Sequence, residues 1–557
     1  MEGIERRLKF IYGTEEKAAS AKQKIEKQLE KYEKTGLKAR KLSQADTMLI
    51  TYGDSIVNGD APALEVLSEF LDAYVKDAVG NVHLLPMYPY TSDDGFSVVD
   101  YKEINPSLGN WGHIGMLAKR YGLMFDAVIN HISKSSDWFQ KYLECEQPYT
   151  DYFITCDPDV DYSKVTRPRA LPLLTEFQTA EGTKFVWTTF SEDQIDLNFN
   201  SPDVLAEVLD LLVMYGRMGA KFIRLDAIGF MWKEAGTTCM HLPQTHELIK
   251  LMKDVLSVYS PGTKLITETN VPHKDNISYF GDGKDEADLV YQFPLPPLVM
   301  YSLLTGDASI LSQWMAGLEL PGEDVTFFNF LSSHDGIGVR PTEGILDDAQ
   351  REFLVKATLE HGGRVSYKDN GDGTKSPYEL NINYQDALAG PEDSDETRIG
   401  RFLAAETILL SMQGVPGIYI HSLLGSRNDY YGMTVSGIPR RINREQLDYG
   451  FLKEQLDGDT NRSRIFKEMI RRLNIRKKEE AFAPQAVQEV LNVDGRVLAV
   501  RRIAKESGEC IEAFINVSGE TVPIGRDGLS GTNLLNGEEI KDKIVLGPYE
   551  AAWIKKQ

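Results

Sequence analysis

Along residues 46–480, short runs of branched and aromatic residues alternate with longer stretches whose apolar side chains recur every three to four positions. The first pattern suits buried strands, the second amphipathic helices. Strands are predicted at 48–52, 82–85, 123–129, 222–225, 264–267, 289–292, 325–331 and 417–420, with helices at 64–74, 114–121, 204–217 and 245–259 among them. Eight strand-then-helix steps predict an α/β fold, a closed parallel (β/α)8 TIM barrel whose chemistry gathers where the strands end.

Two segments interrupt the alternation. After the third strand the helix is delayed by some sixty residues containing Pro and aromatic side chains, read as an inserted lobe at about 132–200. A second insertion at about 337–395 carries Lys-Asp-Asn-Gly-Asp-Gly-Thr-Lys-Ser-Pro-Tyr, whose turn formers predict a mobile excursion over the site. Its run at 369–373 opens like a calcium loop but lacks the downstream Glu, so it reads as a turn and no metal is expected. Residues 1–45 are rich in Lys, Glu, Gln and Ala, with Ile25, Leu29 and Tyr32 at irregular helical spacing. They read as one or two solvent-facing helices. From 481 to 557, alternating segments at 488–491, 497–501, 510–516, 543–545 and 551–555 predict a small all-β terminal domain.

Charge narrows the partners. With 61 basic against 83 acidic residues, a net −22, the average field repels nucleic acid and anionic membranes, so an anionic substrate must be met by locally placed Arg or Lys. Cys145, Cys156, Cys239 and Cys510 form no CxxC pair and have no His at metal spacing, which fits free thiols in a reducing compartment. No apolar signal core opens the chain and no apolar run reaches the roughly 18 residues of a membrane span. A cytoplasmic location is expected, and the oligomeric state stays open.

Three carboxylates close strand-like runs: Asp226 in Phe-Ile-Arg-Leu-Asp-Ala, Glu268 in Leu-Ile-Thr-Glu-Thr-Asn and Asp335 in Leu-Ser-Ser-His-Asp-Gly. A barrel would bring them to one mouth. Cleaving an acetal with retention needs a carboxylate nucleophile and a second carboxyl about 5–5.5 Å away that gives and then takes a proton. A third can steady the oxocarbenium-like charge.

Phe125–His131, Ile223–Ala227, Thr267–Asn270 and Ser333–Asp335, in that order at the strand ends, resemble the four ordered motifs of the α-amylase superfamily. More narrowly, Ser92–Phe96, Arg167–Arg169, Gln194–Asn198, Lys233–Thr237, Phe293–Leu298, His334–Gly338 and Arg441–Arg444 are similar to the sucrose phosphorylase subgroup. Within it, the N-terminal extension, Asn270–Asn276 and Leu424–Tyr430 look most like phosphorylases of glucosylglycerate.

The resemblance implies Asp226 as nucleophile, Glu268 as acid/base and Asp335 as transition-state stabiliser. Arg224, on the same strand face as Asp226, would hold that carboxylate ionised at a low pKa, while a desolvated setting would raise Glu268. His131, His334 and Asp93 would bind sugar hydroxyls, with Gln194 and Arg444 around them, and Arg440 would pair with Asp93. Phe96 and Phe190 are either walls of the sugar pocket or packing residues. Arg167 and Arg169 either brace the lobe or meet phosphate, for which the loop from Lys368 to Lys375 is a second candidate; Lys375, Asn381 and Asn270 are further candidates for phosphate or acceptor. Sucrose phosphorylases have His where Asn270 stands, which puts fructose in doubt.

The implied activity is a retaining α-glucoside phosphorylase that uses a small-molecule sugar and inorganic phosphate, with glucosylglycerate preferred and no cofactor. The alternatives are a sucrose, sucrose 6-phosphate or glucosylglycerol phosphorylase, a retaining α-glucosidase or transglucosidase, or a barrel that only binds.

Overall fold

In the computed structural model, which describes residues 2–35, 40–169, 171–369 and 373–556, eight parallel strands close into a barrel. They are β1 (Met48–Thr51), β2 (Asn81–Leu84), β3 (Gly122–Ala127), β4 (Ala220–Leu225), β5 (Lys264–Thr267), β6 (Leu289–Tyr291), β7 (Thr326–Phe330) and β8 (Val415–Tyr419). Each pairs in parallel with its chain neighbours, and β8 returns to β1 through Ile50 opposite Tyr419. Every residue of β1, β2, β6, β7 and β8 is buried, as expected of strands that face side chains within the barrel and helices outside it.

The register aligns the chemistry. Arg224 lies opposite Asp126 across β3 and β4, and opposite Ile266 across β4 and β5, so the residues just beyond β4 and β5, Asp226 and Glu268, emerge side by side.

The lobe after β3 holds two small antiparallel sheets: His131–Ser133 with Gln194–Asp196, and Thr155–Cys156, Gly182–Trp187 and Leu174–Thr179. A buried ion pair anchors it: Lys233 Nζ stands 2.8 Å from Asp196 Oδ2, and Asp196 also accepts from the Thr189 amide and hydroxyl. The segment after β7, read as a second insertion and a mobile excursion over the site, folds as a three-stranded antiparallel sheet of Ile337–Gly338, Lys375–Asn381 and Arg364–Asp369, with the helix Asp348–Glu360. The turn expected at 369–373 lies largely outside the described residues.

The N-terminal helices α1 (Glu2–Tyr12) and α2 (Glu15–Leu29) are not merely solvent-facing. Leu8, Ile11, Ala18, Ala21, Ile25 and Leu29 form a buried seam, and Arg7 Nε donates to Asp254 at 2.6 Å on the helix Pro243–Tyr259. Ala18 and Ala21 are part of that seam, a small-residue contribution that a search for large apolar side chains misses. No helix among the described residues is long and apolar enough to cross a membrane.

At the C-terminus a six-stranded antiparallel sheet packs on the helix Asp395–Ser411. Its longest strand, Val522–Asn533, escapes the alternation pattern because Pro523, Gly525, Gly528 and Gly531 break it, and the register shifts between Gly525 and Ser530. Gly531, at φ +140°, passes where a Cβ would strike the Lys555 carbonyl.

Candidate active site

The cleft at the C-terminal mouth of the barrel is lined by Asp226, Glu268 and Asp335 together with Asp93, Phe96, His131, Phe190 and Gln194. Asp226 follows β4 directly and Glu268 follows β5 directly; Asp335 lies in the turn beyond β7. Ala227, the residue after Asp226, holds the left-handed φ of +48°, and Asp93 and Asp94 are also left-handed. Such non-glycine strain collects where a fold over-determines a functional position.

One guanidinium organises the carboxylates. Arg224 Nη1 donates to Asp126 at 2.5 Å and to Asp226 at 2.9 Å, and Nη2 lies 4.0 Å from Glu268. Glu268 Oε2 also accepts from the Ala227 amide at 3.0 Å. Asp126 in turn bonds His83 at 2.7 Å, so strands β2 to β5 each contribute a member of a single chain of polar groups.

Arg224 was expected to keep Asp226 at a low pKa. Burial outweighs it: desolvation raises the carboxyl, Arg224 opposes, and Glu268, Asp126 and Asp335 add to the rise. Arg224 divides its charge between Asp126 and Asp226, which limits what it gives to either. Glu268 is also raised, by burial first and by Asp335. Burial thus lets Asp226 and Glu268 retain a proton between them well above the ordinary carboxylate range. Asp335 behaves oppositely. Burial pushes it up, but His334 and Arg440 hold it far below its usual value.

Arg440 was expected to pair with Asp93. Its Nη1 instead meets Asp335 at 2.8 Å, while Nε and Nη2 grip Glu379, both at 3.0 Å. The partner of Asp93 is Arg169, at 3.0 Å, with Gln194 Nε2 donating at 3.1 Å. Burial works against ionisation of Asp93, yet Arg169 and Arg440 bring it down to about 2. Glu379 displaces the expected pairing because its two oxygens match the guanidinium fork. Glu379 was not anticipated, although it lies in the second insertion at about 337–395.

The remaining expectations divide. The Phe96 ring stacks on His334 at 4.9 Å and 7°, and Phe190 touches His131 at 5.2 Å; both phenylalanines line the cleft. His131 Nε2 donates to the Phe96 carbonyl at 2.8 Å. Burial brings His334 down to about 3. Arg167, Arg169 and Asn270 line the cleft. Arg224 and Arg444 stand one layer behind, Arg444 donating from Nε to the His334 carbonyl at 2.7 Å and from Nη1 to Asp94. Lys375 and Asn381 are not in the cleft: Lys375 is exposed at the start of its strand, and Asn381 is buried with Nδ2 bonded to Ser366. The adjacent Tyr378 and Glu379 both reach the cleft where the strand register shifts, Ser366 facing Glu379 and Tyr367 facing Pro377 with Tyr378 as the extra residue between. Lys368, at the start of the loop read as a phosphate candidate, also lines it, as do Arg340, Phe230 and Tyr378, which no sequence motif marks.

The Alpha-amylase family model, "Alpha amylase, catalytic domain", matches residues 58–331. A glucosylglycerate phosphorylase of Allomeiothermus silvanus is 50% identical, over 92% of this chain and 91% of that one. A glucosylglycerate phosphorylase of Escherichia coli K12 is 44% identical, over 92% of each. The crystal structure of sucrose 6F-phosphate phosphorylase from Thermoanaerobacter thermosaccharolyticum superposes with a TM-score of 0.76 at 26% identity, over 90% of this chain and 98% of that one. With its eight-stranded parallel barrel, its ordered carboxylates and relatives of this identity and coverage, the chain belongs to the α-amylase family.

Proposed function

We propose that the protein is a retaining glycoside phosphorylase that cleaves 2-O-(α-D-glucosyl)-D-glycerate with inorganic phosphate, giving α-D-glucose 1-phosphate and D-glycerate. The observation that carries this reading is the joining of Asp226 and Glu268 through Arg224 in a cleft that also holds Arg167, whose Nε and Nη2 are buried without a partner. A nucleophile, an acid and an unpaired guanidinium are what glucosyl transfer to an anion requires. The identity to glucosylglycerate phosphorylases over nine-tenths of the chain supports the acceptor.

In the first half-reaction Asp226 bonds the anomeric carbon as the bond to the glycerate oxygen breaks, and Glu268 gives that oxygen its proton. The proton shared by the two carboxyls belongs on Glu268 here, since Asp226 acts as the anion. Asp335, kept ionised by Arg440, offsets the positive charge on the sugar. In the second half-reaction a phosphate oxygen displaces Asp226 from the opposite face and Glu268 takes the phosphate proton, so two inversions leave the α configuration. Phe96 and His334 wall the ring; Asp93, oriented by Arg169 and Gln194, accepts from its hydroxyls. The four unpaired cysteines fit work in the cytoplasm.

The test is incubation of the protein with glucosylglycerate, with and without phosphate, following glucose 1-phosphate against free glucose. Phosphate-dependent glucose 1-phosphate is expected. Equal free glucose in both tubes would make the protein a hydrolase.

A further inference from the structure

Arg340 and Lys368 reach the cleft from the second insertion, Lys368 at the edge of the loop read from sequence as a phosphate candidate and Arg340 from a turn that no sequence motif marks. Arg340 opens the short helical turn Arg340–Thr342, and Lys368 comes from the strand Arg364–Asp369. The turn is fixed to the sheet by the Val339 amide, which donates to the Tyr378 carbonyl at 3.1 Å. The two cations feel each other: burial first and then Arg340 lower the Lys368 ammonium. The carboxylate opposing them, Glu343, is exposed to solvent. From the lobe comes Arg167, with two guanidinium nitrogens buried and unbonded.

Asn270, two residues beyond Glu268, lines the same cleft with an unpartnered Oδ1. Gly338 makes room for it, since a Cβ there would stand 2.9 Å from that oxygen. Three half-buried cations on one cleft lose part of their hydration, and Arg340 also acts on Lys368, an arrangement that an anion relieves.

We propose that Arg340 and Lys368, with Arg167, form a single anion subsite that holds the acceptor carboxylate in one half-reaction and inorganic phosphate in the other. The inference rests on the phosphorylase reading above. In a 2-O-linked glycerate the carboxylate is bonded to the carbon that carries the glycosidic oxygen; in phosphate the charged oxygens share phosphorus with the attacking one. Phosphate sets its charged oxygens one atom, phosphorus, beyond the oxygen that meets the anomeric carbon, and glycerate sets its own two atoms beyond, a small difference that the long Arg and Lys side chains of one cluster can span. The subsite selects acceptors by charge: glycerol presents the same hydroxyls with nothing for the cations to hold. Asn270 is left to receive a neutral hydroxyl of the acceptor.

The test uses the full-length protein with α-D-glucosyl fluoride as donor, so that donor binding involves no anionic leaving group beyond fluoride, and compares D-glycerate, inorganic phosphate and glycerol as acceptors. Arg340→Gln and Lys368→Gln are expected to raise KM for D-glycerate and for phosphate by about tenfold or more, the loss with glycerol being about fivefold smaller. Arg340→Lys should recover part of the loss. Unchanged KM for both anions, or an equal loss with glycerol, overturns the subsite; a loss confined to one anion overturns its shared use. Failure of the unsubstituted protein to form glucose 1-phosphate in phosphate would instead contradict the phosphorylase reading.

Discussion

Arg224 shows how much one side chain can decide. It is buried, touches Asp126 and Asp226, and lies within 4.0 Å of Glu268, so three carboxylates share one positive charge. The shortage keeps a proton in the site, and a general acid needs that proton. Because Glu268 is raised by burial and by Asp335, the competent protonated form persists above the ordinary glutamate range and is lost as pH rises through the raised value. The rate of glucosylglycerate cleavage should therefore fall on the alkaline side. In Glu268→Gln, transfer from α-D-glucosyl fluoride, whose leaving group needs little protonation, should survive while cleavage of the glycerate glucoside drops by about two to four orders of magnitude. Steady-state rates with the two donors check this; equal losses would deny Glu268 the acid role. Sequence motifs pointed to all three carboxylates because each ends a strand-like run. They could not say that Glu379 takes Arg440, since that contact joins residues 61 apart through the folding of an inserted sheet.

At the scale of elements, short buried strands and amphipathic helices were legible, and β5 begins and ends at the expected residues. Elements whose stability comes from tertiary context were not. The strand Val522–Asn533 is held by its neighbours in spite of three glycines and a proline. The lobe depends on a buried charge pair, Lys233 with Asp196, both almost inaccessible to solvent. Lys233→Met leaves that carboxylate buried without its cation and should lower the unfolding free energy by about 3–5 kcal/mol in urea titrations; a change under about 0.5 kcal/mol would show that the amide and hydroxyl donors to Asp196 suffice.

The helix Asp395–Ser411 carries another buried acid, Glu406, pushed by burial up to about 8. Its folded form holds a proton that the unfolded chain releases, so stability is fully present below the ordinary glutamate value and falls as pH rises through about 8. Glu406→Gln should flatten that fall in thermal unfolding from acid to alkaline pH. An unaltered pH profile would mean that the group carries no linked proton.

For the molecule as a whole, a repeated strand-and-helix rhythm sufficed to predict the closed barrel, and closure converts distant sequence positions into neighbours. Asp226, Glu268 and Asp335 span more than a hundred residues yet line one cleft. The segments after β3 and β7 complete that cleft from above; Arg167 was legible through the Arg167–Arg169 motif and Lys368 as the edge of a turn-rich loop, whereas Arg340 was the least legible, because a lone Arg in an insertion has no periodicity to mark where it points. The barrel supplies the bond chemistry, and its insertions choose what receives the glucose.

The most direct measurement is covalent trapping in Glu268→Gln. The variant would be given α-D-glucosyl fluoride without phosphate, quenched in acid, digested and examined by mass spectrometry. One added anhydroglucose unit is expected on the peptide that contains Asp226, and its disappearance when phosphate is supplied. A glucosyl group on any other residue, or turnover of the fluoride with no adduct in either the variant or the unsubstituted protein under rapid quench, would contradict the assignment of Asp226 as the nucleophile.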